Sequence, residues 1–309
     1  MSQSFQKVAV LWKKDKRQWV KPSSYATYVS LLNTHLLPFF GDRRSISEAQ
    51  VQEYASRKYA AGLSVKTVRD TLVVLGMILR HGEKCGAWRH VSFDVHFPPE
   101  AGLRRPVQVL SKQQQLRLQG YLLDNLTCRN LGILICLHTG LRIGEVCGLQ
   151  WKDVDMAAGV LCVRRTVQRV WLSDGTQRAN PLLIGPPKTV SSMREIPLSR
   201  ELKRVLRPFW KSALPENYLV SDAAGPLEPR YFRDYFRRVL ARLGIPPLRF
   251  HALRHSFATR CIESRCDYKS VSAILGHASI STTLDLYVHP DYATKRRVID
   301  QMTRSLEKG

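Results

Sequence analysis

Apolar residues recur at every third or fourth position through most of the chain, which is the spacing of a helix with one buried face. Among residues 1–97 this spacing predicts four helices, which cover residues 3–20, residues 23–36 with Ser23 or Ser24 as the cap, the stretch from Ser47 to Gly62, and the stretch from Ser64 to Leu79. A serine before a helix can accept hydrogen bonds from the first free backbone N–H groups. Because only short loops separate the four helices, we expect them to pack into one small helical domain.

The helical spacing stops at residues 97–106, which read Phe-Pro-Pro-Glu-Ala-Gly-Leu-Arg-Arg-Pro. Three prolines and one glycine within ten residues disfavour both helix and strand. We therefore predict a linker at residues 98–107, which separates an N-terminal helical domain at 1–97 from a second domain at 108–309.

The second domain combines helices with a few strands. Helical spacing predicts helices that start at Ser111 and that cover residues 127–138, 199–212, 229–243, 251–265, 268–275 and 279–288. Between them, residues 159–171 are rich in β-forming side chains, Asp174-Gly175 is a hairpin turn signal, and residues 194–198 form a second short strand. The predicted fold is mainly α with a small antiparallel β-sheet, in which an α+β domain follows the helical one.

The charge of the chain indicates an acidic partner. Lysine and arginine number 48 against 25 aspartates and glutamates, so the net charge is +23. Residues 1–100 hold 15 basic and 8 acidic residues and the remainder holds 33 and 17, so both domains share the excess. Such a charge attracts polyanions. We interpret it as a surface for double-stranded DNA; the alternative is a basic protein without a nucleic-acid partner.

The cysteines and the apolar runs indicate the compartment. The seven cysteines are odd in number and lack zinc-ligand spacing, which favours free thiols in a reducing cytoplasm. The longest apolar runs, Leu72–Leu79 and Leu131–Leu137, are too short to span a bilayer. The first residues lack a secretory pattern. We expect a cytoplasmic protein that needs neither a cofactor nor a metal, and no membrane partner.

Two arginines and two histidines are candidates for holding a phosphodiester. Arg142 stands between a buried helix and the next one, where its guanidinium can grip two phosphate oxygens in a planar fork, and Glu145 lies one turn later, where it can hold Arg142 in place or simply cap the helix. His251 and Arg254 share one helix face, whereas the adjacent His255 points elsewhere and is assigned to packing. His277 follows a helix stop at Leu275-Gly276.

These residues occur in a fixed order together with a tyrosine. The order is Thr139-Gly-Leu-Arg-Ile-Gly-Glu-Val-Cys-Gly148, then His251-Ala-Leu-Arg254, then Leu275-Gly-His277, then Tyr287. In this order the chain resembles the tyrosine recombinase (phage integrase) family, closely over residues 108–300 and more loosely over 1–100. The resemblance implies that Tyr287 is the nucleophile, since Tyr292 follows Pro290 and falls outside the family's spacing.

The resemblance also implies a lysine on a β-hairpin. The segment Lys188-Thr-Val-Ser-Ser-Met-Arg-Glu-Ile-Pro-Leu198 is similar to the family's hairpin, in which a lysine precedes the turn and the strand. In that position Lys188 can protonate the leaving 5′ oxygen. Lys152, which follows Trp151, fits a surface role better.

The function that the resemblance implies is site-specific recombination for the integration or excision of a mobile element, as in conjugative-transposon and phage integrases. A core-DNA-binding domain and a catalytic domain would close round the duplex, and cleavage would leave a covalent 3′-phosphotyrosine. A homotetramer would form through the C-terminal tail at 293–306, with DNA-bending proteins as possible accessories. A further N-terminal arm-binding domain is not expected in this chain. The alternatives are a type IB topoisomerase and a non-catalytic DNA-binding regulator.

Overall fold

The computed structural model describes residues 3–98, 107–170, 172–173, 178–179, 181–187, 192–277, 279–287, 296, 299–300 and 302–304. The chain forms two compact units, the first from residues 1–105 together with 170–181, and the second from 106–169 together with 182–309. The segment 170–181 thus groups with the first unit, although it lies far downstream in the sequence. Residues 99–106 of the predicted linker lie outside the described residues, so the domain limits stay a prediction.

The first unit contains the predicted helices. They are α1 (Phe5–Trp19), α2 (Pro22–Leu31), which continues through a π-helical turn at Leu32–Leu36 into α3 (Leu37–Phe40), α4 (Glu48–Ala60) and α5 (Val65–Lys84). Ser47 caps α4 and Ser64 caps α5, as the sequence predicts. Ser23 and Ser24 do not cap α2, because Pro22 already occupies the first helical position, where a residue without an N–H costs nothing.

The π-helical turn has a local cause in Pro38. A proline inside a helix cannot donate to the preceding turn and disfavours the α conformation of the residue before it. The backbone N–H of Leu37 donates to the carbonyl of Leu32, which is the longer π-type hydrogen bond. The helix therefore continues past Pro38, beyond its predicted end at residue 36.

The core of the first unit lies between α1, α4, α5 and the irregular helix. Its fully buried side chains include Phe5, Leu36, Phe40, Tyr54 and Leu75. The hydroxyl of Tyr54 donates to Thr71 at 3.1 Å, so this polar group is satisfied inside the core.

The second unit contains helices α6 (Lys112–Asp124), α7 (Cys128–Thr139), α8 (Ile143–Gly148), α9 (Arg200–Ser212), α10 (Pro229–Arg242), α11 (His251–Glu263), α12 (Tyr268–Leu275) and α13 (Ile280–Tyr287). Except for α8, for which the sequence predicts a start beside Arg142 but no range, their positions agree with the helical spacing of the sequence. Ser111 and Thr127 accept hydrogen bonds from the first turns of α6 and α7. Helix α7 is buried along nearly all of its length and packs against α11, which places α11 at the centre of the unit.

The strands are short and antiparallel: β1 (Val154–Asp155), β2 (Val160–Val163), β3 (Thr166–Arg169), β4 (Leu172–Ser173), β5 (Arg178–Ala179), β6 (Leu182–Gly185) and β7 (Arg194–Pro197). Strands β1-β2-β7 form one sheet, whereas β3 pairs with β6 and β4 pairs with β5 across the predicted hairpin. The β-rich stretch 159–171 is therefore divided between sheets. The division falls at Arg165, whose guanidinium turns inward to the buried Asp153.

Two glycines set the corner between α7 and α8. Gly140 ends α7 with a φ of +66°, which an L side chain rarely adopts. A Cβ on Gly144 would lie 2.5 Å from Oγ1 of Thr166 and 2.6 Å from the carbonyl oxygen of Val167, so α8 approaches β3 only because residue 144 lacks a side chain. Arg142 lies between them at the start of α8.

Candidate active site

Arg142 is held at the start of α8 with part of its surface open. Its side chain is 37% exposed, and its Nη1 donates to Oε1 of Glu145 at 2.8 Å. Its backbone N–H donates to Oε2 of the same carboxylate at 2.9 Å, and its Nη2 donates to the carbonyl oxygen of Gly276 at 3.3 Å. Glu145 therefore orients Arg142 from within the protein while the guanidinium keeps an exposed side.

Glu145 is buried, with 2% of its surface exposed, and it binds a second arginine. Arg194 on β7 donates to Oε2 at 3.1 Å and to Oε1 at 3.3 Å. Burial by itself would raise the pKa of Glu145, but the charge of Arg194 and the hydrogen bonds from Arg194 and Arg142 outweigh it and lower the pKa. Glu145 is therefore a carboxylate at neutral pH, shared between two guanidinium groups.

Arg254 lies inside the unit on α11 and is 1% exposed. Its Nη1 donates to the carbonyl oxygen of Gly140 at 2.8 Å. Arg142 follows Gly140 by two residues, so this bond fixes α11 relative to the turn that carries Arg142. The two arginines predicted from the sequence thus lie in one neighbourhood.

His251 begins α11 and its ring packs against His255. The two ring centroids are 4.5 Å apart with nearly perpendicular planes. His251 has an exposed surface, yet protein atoms crowd its ring, and this crowding together with the charges of His255 and Arg254 lowers its pKa to about 4. His251 is therefore neutral at pH 7 and can accept a proton, while His255 supports its ring.

His277 follows Gly276, which ends α12 with a φ of +67°. The Nδ1 of His277 lies 2.8 Å from Oγ1 of Thr283, and Thr283 is fully buried on α13. Burial, followed by the charges of Arg254 and Arg142, lowers the pKa of His277 to about 4. The ring is thus neutral and is held at Nδ1. No described residue binds its Nε2, which suits this nitrogen for another partner.

These four side chains form one cationic site. Hydrogen bonds from Arg142 to the carbonyl of Gly276 and from Arg254 to the carbonyl of Gly140 join the segments that carry Arg142, Arg254 and His277. His251 lies one turn before Arg254 on α11. Fixed guanidinium groups beside neutral imidazoles are complementary to a phosphodiester whose negative charge grows during substitution at phosphorus. The arrangement suits binding a phosphate and moving protons next to it.

Of the two remaining predicted residues, the structure describes the position of Tyr287 in its helix and does not describe Lys188. Tyr287 is the last residue of α13, and α13 packs against α11, which carries His251 and Arg254, and against α12, which ends just before His277. Lys188 and Tyr292 lie outside the described residues. Lys152 forms a 2.6 Å ion pair with Glu216, in keeping with the surface role predicted for it.

Arg194 is a residue of this site that the sequence analysis missed. Its side chain is 7% exposed, and besides Glu145 it donates from Nη1 to the carbonyl oxygen of Ser192 at 3.0 Å and from Nε to that of Ile274. The sequence does contain a signal for Arg194, because side chains that are two positions apart on a strand lie on the same face. Arg194 lies on the same face of β7 as Ile196, which is 2% exposed. This arginine therefore occupies a position at which the strand faces the core.

A basic groove lies beside His251. It has a volume of about 750 Å³, and its cationic side chains come from α10 and from the segment before α11: Arg230, Arg233, Arg237 and Arg249. Asp234 also lines it and pairs with Arg237, so the groove keeps a net positive charge.

The described residues contain no group of three His, Cys, Asp or Glu side chains that could hold a metal ion. Within the same residues, no helix has both the length and the apolar character to cross a membrane.

Two family models match the chain. The model described as the phage integrase family matches residues 108–294, and the model described as the phage integrase N-terminal SAM-like domain matches residues 4–59. The first match alone covers more than half of the chain and contains the cationic site.

Individual proteins match along most of the length. The chain is 25% identical to a tyrosine recombinase XerC-like protein of Caldanaerobacter subterraneus subsp. tengcongensis, with 87% of this chain and 74% of that protein covered. It is 24% identical to the ICEBs1 integrase of Bacillus subtilis, again with 87% and 74% covered. The solved structure of the Tn1549 transposon integrase in complex with a circular intermediate DNA matches with a TM-score of 0.75 at 22% identity, covering 97% of this chain and 100% of that chain.

Proposed function

This chain belongs to the phage integrase family of tyrosine recombinases, and from that premise we propose that it is a site-specific recombinase that cleaves and rejoins DNA through Tyr287. Enzymes of this family catalyse DNA cleavage and rejoining, and the relatives include an integrase of a mobile element. Integration or excision of such an element is the reaction that we assign to this chain.

A pair of hydrogen bonds between distant segments supports the assignment of the site to the predicted residues. Arg142 contacts the carbonyl of Gly276 beside His277, and Arg254 contacts the carbonyl of Gly140 beside Arg142. Each arginine is thus bonded to the segment that carries another residue of the site. The segments that carry Arg142, Arg254 and His277 are therefore held together by hydrogen bonds, as a site prepared for one phosphate requires.

The proposed reaction is an in-line substitution at phosphorus. The oxygen of Tyr287 forms a bond to phosphorus and the bond to the 5′ oxygen breaks, which leaves a 3′-phosphotyrosine. Arg142 and Arg254 stabilise the charge on the non-bridging oxygens, and His277 donates to one of them. Neutral His251 accepts the proton of Tyr287, and Lys188 gives a proton to the leaving oxygen. The covalent bond stores the energy for rejoining.

The basic groove supports the proposal that DNA passes over the face that carries His251. Its arginines lie next to the site and can contact the sugar-phosphate backbone on either side of the cleaved bond. Contacts of this type make binding depend strongly on salt.

Assembly into a tetramer through the tail is part of the proposal. Ile299 and Met302 belong to the apolar stripe of the tail and are 60% and 52% exposed. The other two members, Val298 and Leu306, lie outside the described residues. Exposed apolar side chains such as these two are suited to burial against a second copy of the chain. Accessory DNA-bending proteins and a cytoplasmic location, with nucleoid association when bound, stay predictions.

A covalent trapping experiment tests the proposed function. The protein is incubated with DNA of its recombination site, nicked close to the cleavage point so that the released fragment diffuses away, and covalent complexes are separated on a denaturing gel. We expect an adduct from the wild type and from Tyr292→Phe, and none from Tyr287→Phe. Phe keeps the packing volume and removes the hydroxyl.

Three results would contradict the proposal in different ways. An adduct from Tyr287→Phe would move the nucleophile elsewhere. Specific DNA binding by the wild type without an adduct would indicate a non-catalytic regulator. An adduct accompanied by relaxation of supercoiled DNA, without strand exchange between two sites, would indicate a type IB topoisomerase.

A further inference from the structure

Arg194 has no part in the steps proposed above, yet every side of its guanidinium is engaged. Nη1 and Nη2 donate to the two oxygens of Glu145, Nη1 also donates to the carbonyl oxygen of Ser192, and Nε donates to that of Ile274. With 7% of its side chain exposed, Arg194 is far less accessible than Arg142 at 37%. It is therefore placed to act on other residues of the site and not on DNA.

Arg142, Glu145 and Arg194 form a cluster of three charges, and the balance among them explains what Arg194 contributes. The buried carboxylate of Glu145 holds Arg142 through two hydrogen bonds, which fixes the direction of its guanidinium. A carboxylate that was paired with Arg142 alone would also cancel its charge. With Arg194 on the other side, the three groups carry a net charge of +1, and the exposed member is Arg142. Glu145 can then orient Arg142 without removing its attraction for a phosphate.

Arg194 also links this cluster to the turn of His277. Its Nε binds the carbonyl oxygen of Ile274, while Nη2 of Arg142 binds that of Gly276. These are carbonyls at the end of α12, where the helix lacks its own donors and where positive charge is favoured. Both guanidinium groups thus hold the segment from which His277 projects.

We propose that Arg194 is a positioning residue for DNA cleavage, which neutralises Glu145 so that the charge of Arg142 stays available to the scissile phosphate. This inference rests on the proposed function. The two arginines would have different tasks. Arg142 would contact the phosphate, and Arg194 would balance the charge of the Glu145 carboxylate that holds Arg142.

The test compares a charged with a neutral substrate. Arg194→Met keeps the length of the side chain and removes its charge. The rate constant of adduct formation is measured on the nicked phosphodiester substrate and on the same DNA with a methylphosphonate at the cleaved position. We expect Arg194→Met to be slower by about 10² on the phosphodiester, because the uncompensated Glu145 carboxylate weakens the contact of Arg142 with the transition state, with DNA affinity within a few-fold of wild type.

The neutral methylphosphonate needs less positive charge around it, so we expect Arg194→Met to be impaired there much less. Arg142→Ala should show the same preference, because both variants reduce the charge offered to the phosphate. Arg169→Met is the matched control, since Arg169 makes a two-bonded ion pair with Glu228 elsewhere in the same unit. Its ratio between the two substrates should equal that of the wild type.

A double variant separates charge balance from support of the fold. Replacing Glu145 by Gln in the Arg194→Met protein removes the uncompensated carboxylate, so Glu145→Gln/Arg194→Met should cleave faster than Arg194→Met. A purely structural role predicts that the double variant is slower still. If Arg194→Met folds poorly, Arg194→Lys decides the matter, because it keeps the charge and should retain a substrate ratio close to wild type.

The outcomes are distinct from those of the proposed function. A wild-type adduct combined with an unchanged substrate ratio in Arg194→Met, or with a slower double variant, overturns the role of Arg194 alone. A wild type that forms no adduct on either substrate overturns both. The ratio of two rate constants measured on one preparation does not depend on how much of it is folded.

Discussion

The guanidinium of Arg254 donates a 2.8 Å hydrogen bond to the carbonyl oxygen of Gly140, from which it is separated by 114 positions in the sequence. Gly140 also packs closely against α11 and against the end of α12. A Cβ at position 140 would lie 2.6 Å from the side chain of Leu275 and 2.7 Å from that of Phe257. The close packing leaves no room for a side chain. One glycine therefore brings together the segments that carry Arg142, Arg254 and His277.

This relationship leads to a prediction for the two arginines. Arg142→Lys and Arg254→Lys keep the positive charge but lose the planar fork. We expect each variant to form the covalent adduct more slowly by a factor of about 10² to 10³. Arg260→Lys, on the same helix as Arg254 but paired with Glu263, should cleave at nearly the wild-type rate. Near-normal cleavage by Arg142→Lys would mean that charge alone suffices.

A second prediction concerns Thr283, whose hydroxyl holds Nδ1 of His277 at 2.8 Å. Thr283→Val keeps the shape and removes this hydrogen bond, which contributes about 1 kcal/mol in a typical case. We expect adduct formation to slow by a factor of about 3 to 10. Thr283→Ser should restore most of the rate, because it keeps the hydroxyl. Equal losses in the two variants would show that the methyl group, and not the hydrogen bond, matters.

The third prediction is a pH dependence of stability. Both His251 and His277 have a pKa of about 4 in the folded protein against 6.5 as the ordinary value, so the unfolded chain binds more protons between these limits. Their contribution is complete above pH 6.5 and is lost as the pH falls toward 4. The melting temperature of the DNA-free protein should therefore fall by a few degrees between about pH 7.5 and about pH 5.

The corresponding control replaces both histidines. His251→Gln/His277→Gln should lose less melting temperature over the same interval than the wild type does. If the two proteins respond equally to acid, other groups cause the dependence, and the low pKa values assigned to these two rings are wrong.

The fourth prediction concerns Lys188 as the general acid. Lys188→Ala should slow cleavage far more than it weakens DNA binding. A substrate with sulfur in place of the leaving 5′ oxygen needs little protonation, because a thiol is much more acidic than an alcohol. This substrate should restore cleavage by Lys188→Ala. A defect of the same size on the oxygen and sulfur substrates would leave Lys188 as a contact to the DNA backbone.

The fifth prediction concerns the tail. Removing residues 293–309 should leave DNA binding by a single subunit largely intact and should abolish higher-order complexes and strand exchange. Since Ile299 and Met302 are exposed, the melting temperature of the isolated protein should hardly change. A large fall in melting temperature would show instead that the tail packs onto its own domain.

Local patterns in the sequence account for most of the fold. The helical spacing located the helices of both units to within a few residues, and Ser47, Ser64, Ser111 and Thr127 cap them because a cap depends only on a side chain and the next three residues. The sequence predicts one small sheet, whereas β2 and β3 belong to different sheets. The division falls at Arg165, which binds Asp153 in a contact that no local pattern contains.

The types and order of Arg142, His251, Arg254, His277 and Tyr287 are visible without a structure, and they predict which residues carry the chemistry. How the arginines and histidines are held depends on contacts between elements that are distant in the sequence. Arg194 and Thr283 became part of the site because burial forces each polar group to find a partner, and the partner comes from whichever element packs nearby. Spacing along the chain encodes the period of a helix, but it does not encode which helix ends meet.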